Sequence, residues 1–111
     1  MDEPFGVRVD AGEGCTVLGL SGDLDARARE PLAAAWSAAE QGGGTVVLDF
    51  SGLRYMNSTG IALVVEILAR ARAARRDLHA RGLSPHYRQI FEITRLSDFI
   101  TLDDPAAGAA A

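Results

Sequence analysis

Phe5-Gly6-Val7-Arg8-Val9-Asp10 alternates apolar and polar side chains, and after the turn Ala11-Gly12-Glu13-Gly14 comes a second strand-like run, Cys15-Thr16-Val17-Leu18-Gly19-Leu20. Period-two alternation marks a strand with one wet face, and two runs joined this closely predict an antiparallel hairpin. Ser21-Gly22-Asp23-Leu24-Asp25 is a polar connection into an alanine-rich helix from about Ala26 to Gln41, with Pro31 expected to distort or restart its first turns. Gly42-Gly43-Gly44 stops that helix. Thr45-Val46-Val47-Leu48-Asp49-Phe50 is β-branched and almost continuously apolar, the pattern of a central strand covered by helices on both faces. A short connection follows, then a helix from Thr59 to about Arg76 that is apolar nearly all the way round between Ile61 and Leu68. Asp77 to Leu83 supplies another strand, and Pro85 opens a third helix whose apolar residues are Tyr87, Ile90, Phe91 and Ile93. Phe99-Ile100-Thr101-Leu102 reads as a short last strand and Asp103 to Ala111 as a frayed tail.

Two strands followed by alternating helices and strands imply right-handed βαβ crossovers. The expected fold is therefore α/β: one domain over residues 5–102, a mixed and mostly parallel central sheet with helices packed on it, and a flexible tail at 103–111. A chain of 111 residues fits one domain with one core. No apolar run approaches the roughly 20 residues of a membrane span. Met1-Asp2-Glu3-Pro4 lacks the basic-then-apolar pattern of a signal peptide, so a cytoplasmic protein is expected. The net charge of −4 argues against nucleic acid as a partner.

Every basic side chain other than histidine is arginine. Without lysine, a Walker-type phosphate loop and Schiff-base chemistry are both excluded. His79 and His86 have no recognisable metal spacing, and Cys15 reads as a small buried hydrophobe with no basic neighbour to favour a thiolate. Asp23 and Asp25 invite a reading as paired acid–base carboxylates, but they precede a helix, where capping or loop ordering is the simpler role. Asp49 as a receiver-type phosphoacceptor fails on the missing lysine and on its place inside a strand pattern. Trp36 fits core packing. Arg70, Arg72, Arg75 and Arg76 read by default as a solvated helix end, with contact to an acidic partner face as the functional alternative. With no nucleophile–base pair, metal set or phosphate loop, neither an enzyme nor a cofactor is expected.

Asn57-Ser58-Thr59-Gly60 carries the most information. One of its three polar residues is expected to cap the helix on structural grounds alone. Three in a row exceed what capping needs, and Gly60 is read as leaving room beside the hydroxyls for a kinase or for phosphate oxygens. A phosphate there would gain from free N–H groups and the helix dipole.

These residues resemble the STAS domain family, whose best-known members are bacterial anti-sigma factor antagonists. Leu20-Ser21-Gly22-Asp23-Leu24-Asp25 is similar to the family's Gly-Glu-Leu-Asp signature, with Asp23 in place of the commoner Glu. Leu48 to Leu53 followed by Met56 to Gly60 resembles its second signature, usually ending Asp-Ser-Ser-Gly or Asp-Ser-Thr-Gly, in which the first Ser is the regulatory phosphoacceptor. The resemblance implies an antagonist that binds an anti-sigma factor, a serine kinase of histidine-kinase-like ATPase fold, and so frees a sigma factor. The kinase then phosphorylates the antagonist, and a PP2C-type phosphatase resets it. Carried over residue by residue, Ser58 is the acceptor and Thr59 the second choice. Asp23, Asp25, Asn57, Ser58, Thr59 and Gly60 become the partner-binding set. Asn57 stands where most phosphorylated members have Asp, which keeps shape and capping ability but removes a charge. The alternative is a constitutive STAS scaffold subunit of a lipid-transport or stress-signalling complex, motivated by the apolar Ile61–Leu68 stretch; a homodimer is a further option.

Overall fold

The computed structural model describes residues 3–103; the expected tail lies, beyond Asp103, outside the described residues. The chain runs β1 (Gly6–Gly12), β2 (Cys15–Leu24), a 3-10 turn (Ala26–Ala28), α1 (Arg29–Ala39), β3 (Thr45–Met56) and α2 (Ser58–Ala73). It continues through β4 (Leu78–Arg81), α3 (Pro85–Ile93), a second 3-10 turn (Leu96–Asp98) and β5 (Thr101–Leu102). The five strands form one sheet in the order β1-β2-β3-β4-β5, antiparallel for the opening hairpin and parallel thereafter.

Strand order that advances in one direction has a consequence for layering. Each right-handed crossover returns on the same side, so the helices share one face of the sheet. The core bears this out. Leu18 and Leu20 of β2, Val46, Leu48 and Phe50 of β3, and Leu78 and Ala80 of β4 pack in a single cluster with Trp36, Val64, Ile67 and Phe91 from the helices. Residues of the opposite parity, Gly19, Asp49, Ser51, His79 and Arg81, are half-buried or exposed. β3 is thus the central strand, but helices cover it on one face and not on two. Val47 made its run look two-sided: it points to the open face and is still only 7 % exposed. Cys15 is half-buried on that open face.

β3 is also longer than its apolar run. The expected break at Ser51-Gly52 is bridged by register shifts against β2, from Gly19↔Asp49 to Ser21↔Gly52 and from Gly22↔Leu53 to Asp23↔Tyr55. Extra residues bulge out, and pairing resumes as far as Leu24↔Met56. Alternation-based reading loses a strand at such points because the side-chain parity flips.

At the other end of the sheet, Arg76 closes the C-terminus of α1. Its guanidinium donates to the carbonyls of Ala39, Gly43 and Gly44 and lies 5.9 Å from the Trp36 ring centroid. This satisfies backbone acceptors that a helix end leaves open. Asp103 is tied in as well, its N–H donating to Ala80 O at 2.9 Å and its carbonyl accepting from Arg88.

Candidate functional site

The β3–α2 junction brings the two sequence signatures side by side. Leu24, at the end of β2, pairs with Met56, at the end of β3. Its carbonyl then accepts the Asn57 N–H at 3.3 Å. Asn57 is extended, with φ −102° and ψ −175°, and its Oδ1 accepts the Gly60 N–H at 2.9 Å. Asn57 is therefore the N-cap, the residue type and geometry expected of one. Ile61 N–H donating to Asn57 O at 3.0 Å starts the helical ladder.

With the cap assigned to Asn57, Ser58 occupies the first helical position, exposed, and its hydroxyl bonds to no described residue. Thr59 is half-buried. Gly60 is buried, and its role differs from the one expected. A Cβ built there would lie 2.1 Å from Leu24 O, so the missing side chain makes room for β2 on the inside, not for phosphate oxygens on the outside. Glycine is required because the first turn of α2 rests directly on the end of β2.

Asp23 is only 2 % exposed. Its carboxylate accepts from Arg54 Nε at 3.0 Å and Nη2 at 2.8 Å, a two-pronged pairing, and from the Glu3 N–H at 3.3 Å. Arg27 stands 3.8 Å away. The Arg54 hydrogen bonds hold the Asp23 carboxyl below the ordinary value of 3.8 against the opposing effect of desolvation, with help from the Glu3 N–H. Asp23 thus binds β2 to β3 and to the N-terminal segment, and it is Arg54 that reaches the surface. Asp25 caps the first 3-10 turn, its Oδ1 accepting the Arg27 N–H at 3.0 Å. The same Arg27 side chain grips both Asp25 oxygens and holds that carboxyl low. Asp23 and Asp25 are therefore both ion-paired, Asp23 chiefly with Arg54 and Asp25 with Arg27, which also lies within ion-pair distance of Asp23, and neither is set up for acid–base exchange.

Asp49 lies on the open sheet face. Burial raises its pKa, but the Ser51 hydroxyl at 2.7 Å, the Ser51 N–H at 3.0 Å and Arg81 at 3.2 Å outweigh that and leave the carboxyl below 3.8. Among the described residues no group of three or more His, Cys, Asp or Glu is placed to hold a metal. No described helix is long and apolar enough to cross a membrane.

One contact at the junction was not visible in the sequence. The Met56 N–H donates to Tyr87 Oη at 3.0 Å, so α3 reaches across to fix the backbone two residues before Ser58. Tyr87 reads from sequence as an apolar position of α3; its polar tip was the available signal.

Residues 7–102 match the family model described as "Mlab, STAS domain". The chain is 32% identical over 105 residues to a Bordetella bronchiseptica protein named "Putative anti-sigma factor antagonist BtrV", covering 93% of this chain and 90% of that one. In fold it is similar to an anti-sigma factor antagonist from Mycobacterium paratuberculosis, with a TM-score of 0.74 at 20% identity over 99% of this chain and 96% of that one. It is likewise similar to the anti-sigma factor antagonist SpoIIAA in its unphosphorylated form, with a TM-score of 0.72 at 23% identity over 95% and 94% of the two chains.

Proposed function

The chain belongs to the STAS domain family, and on that premise we propose that it is a phosphorylation-switched anti-sigma factor antagonist acting in the cytoplasm. In this reading the unmodified protein binds an anti-sigma factor serine kinase through the exposed start of α2. The Ser58 hydroxyl attacks the γ-phosphorus of the kinase's ATP. The Oγ–P bond forms, the bond to the β-phosphate oxygen breaks, ADP leaves, and the hydroxyl proton passes to a base on the kinase. A PP2C-type phosphatase reverses the modification by hydrolysis. The protein is a substrate and a binding module in this cycle and does no catalysis itself.

The observation that carries the reading is the division of labour at the junction. Asn57 supplies the cap, so the Ser58 hydroxyl is exposed and uncommitted beside the positive end of a 16-residue helix. A phosphate of charge about −2 placed there meets a favourable field and open N–H donors, so α2 keeps its start while the surface offered to a partner changes sign. The scaffold alternative loses its motive, because Leu63, Val64, Ile67 and Leu68 are core and leave Val65 as the exposed large apolar residue of that stretch.

Incubation with the cognate kinase and ATP, followed by phosphopeptide mass spectrometry, is expected to place phosphate on Ser58 and none on a Ser58→Ala variant. Phosphorylated protein should bind the kinase at least tenfold more weakly, about 1.4 kcal/mol. Absence of phosphate at Ser58 with unchanged tight binding would overturn the switch.

A further inference from the structure

β1 lies at one edge of the sheet and β5 at the other, and the two edges differ. β5 is two residues long and offers little to pair with, whereas β1 runs for seven, Gly6–Gly12. Short strands, bulges, prolines and lysines are common means of blunting an edge. β1 has none of them: its register against β2 is unbroken from Gly6 to Gly12, and it contains neither proline nor lysine. The direction of its backbone groups follows from the turn. Gly12 and Cys15 flank the two-residue turn Glu13-Gly14, so they form a hydrogen-bonded pair, and such pairs recur at every second residue. Asp10, Arg8 and Gly6 therefore turn their N–H and C=O groups toward β2, and Val7, Val9 and Ala11 turn theirs outward. Among the described residues none bonds to these outward groups.

The side chains along this edge make it complementary to itself. Arg8 and Asp10 stand on the open sheet face, 77% and 65% exposed, and hold each other at 3.3 Å. Val7 and Val9 are half-buried on the other, helix-covered face. Reversed in direction, Arg8-Val9-Asp10 presents the opposite charge at each end. An antiparallel copy centred on Val9 sets Val9 against Val9 and Val7 against Ala11, the residues whose backbone groups point outward. It also sets each Arg8 against the Asp10 of the other copy, in the non-hydrogen-bonded positions where facing side chains come closest. Centring on Val7 or on Ala11 keeps the hydrogen bonds but faces Arg8 with Gly6, or Asp10 with Gly12, and matches no charges.

We propose that two copies of the chain associate through β1 in this register, about a twofold axis at Val9. The two five-stranded sheets become one continuous sheet, with both helical layers on the same side. The Arg8 and Asp10 side chains of the two copies form an alternating ladder on the open face. A strand of another protein would need to reproduce this charge order, which a second copy supplies by symmetry. The pairing uses neither Ser58 nor its neighbours, so the inference does not depend on phosphorylation there.

Sedimentation velocity of the full, unphosphorylated chain over a rising concentration series is expected to show a monomer–dimer equilibrium. Val9→Pro removes an outward N–H while leaving the β1–β2 ladder whole, and should weaken the dimer at least tenfold. Arg8→Glu and Asp10→Arg each set like charges against one another twice per dimer and should weaken self-association to a similar degree. Mixed in equal amounts, these two charge variants face only opposite charges, and their heterodimer should be at least tenfold tighter than either homodimer. Arg95→Glu, beyond α3 and toward the other edge of the sheet, should leave the equilibrium unchanged. Circular dichroism confirms that each variant is folded. A chain that stays monomeric throughout the series overturns the proposal. So does a dimer that Val9→Pro leaves intact, which assigns the association to another face. Failure of the mixed charge variants to associate more tightly than either alone also overturns it, by excluding the register in which Arg8 meets Asp10.

Discussion

At the first turn of α2, the Asn57 amide oxygen takes the Gly60 N–H and the Gly60 Cα faces Leu24. Each contact makes a separate prediction. Asn57→Ala removes the cap and should cost about 1 kcal/mol, whereas Asn57→Asp keeps the acceptor and should retain or slightly raise stability. Urea unfolding checks both, through a shifted midpoint at unchanged slope. Gly60→Ala forces a Cβ against the Leu24 carbonyl and should cost at least about 2 kcal/mol. Sequence alone narrowed the cap to three adjacent residues, because Asn, Ser and Thr all serve. Choosing among them needed backbone direction. The inward role of Gly60 and the burial of Asp23 under Arg54 depend on how closely β2 and α2 approach, and no local pattern encodes that distance.

The helices end by a device that leaves visible strain. Arg75, just past α2, has φ +57°, and Arg95, just past α3, has φ +66°. Arg76 N–H reaches back to Ala71 O and Arg75 N–H to Arg72 O, the paired bonds of a helix C-terminal motif that glycine ordinarily fills. Arg75→Gly and Arg95→Gly should therefore each stabilise the protein by roughly 0.5–1 kcal/mol, net of glycine's larger entropy loss, as seen in a raised thermal midpoint. Tyr87 ties α3 to the junction. Tyr87→Phe leaves the Met56 N–H without its acceptor and should cost about 1 kcal/mol, with faster amide exchange at Met56. The order and type of the elements were legible in the hydrophobic period. The bulges that carry β3 on to Met56 were not, because a bulge flips the parity on which that reading depends.

Among the described residues, Asp23, Asp25 and Asp49 hold their carboxyls below the ordinary value of 3.8, and they set the acid limb of stability. Each binds its proton less readily folded than unfolded, so its contribution is complete above the unfolded value and is lost as pH falls through the lower folded one. Stability measured by urea unfolding should hold from neutral pH down to about 5 and then decline through and below 4. Asp23→Asn should be less stable at neutral pH and show a shallower acid decline. The α/β class and the mixed sheet were readable in advance from the alternation of helices and strands. Coverage of one face only was readable in principle from strand order, which the sequence does not state.

That strand order also bears on how the molecule comes into being. In the sheet β1-β2-β3-β4-β5, every strand joins the outer edge left by its predecessor, and none is inserted between two already in place. As the chain leaves the ribosome N-terminus first, each helix–strand unit can add to a finished edge without undoing earlier pairings. Each addition closes a loop of modest length, which keeps the search for partners short. A nascent chain of this topology has a single growing edge at every stage, and the sheet is completed by a strand of only two residues, Thr101 and Leu102.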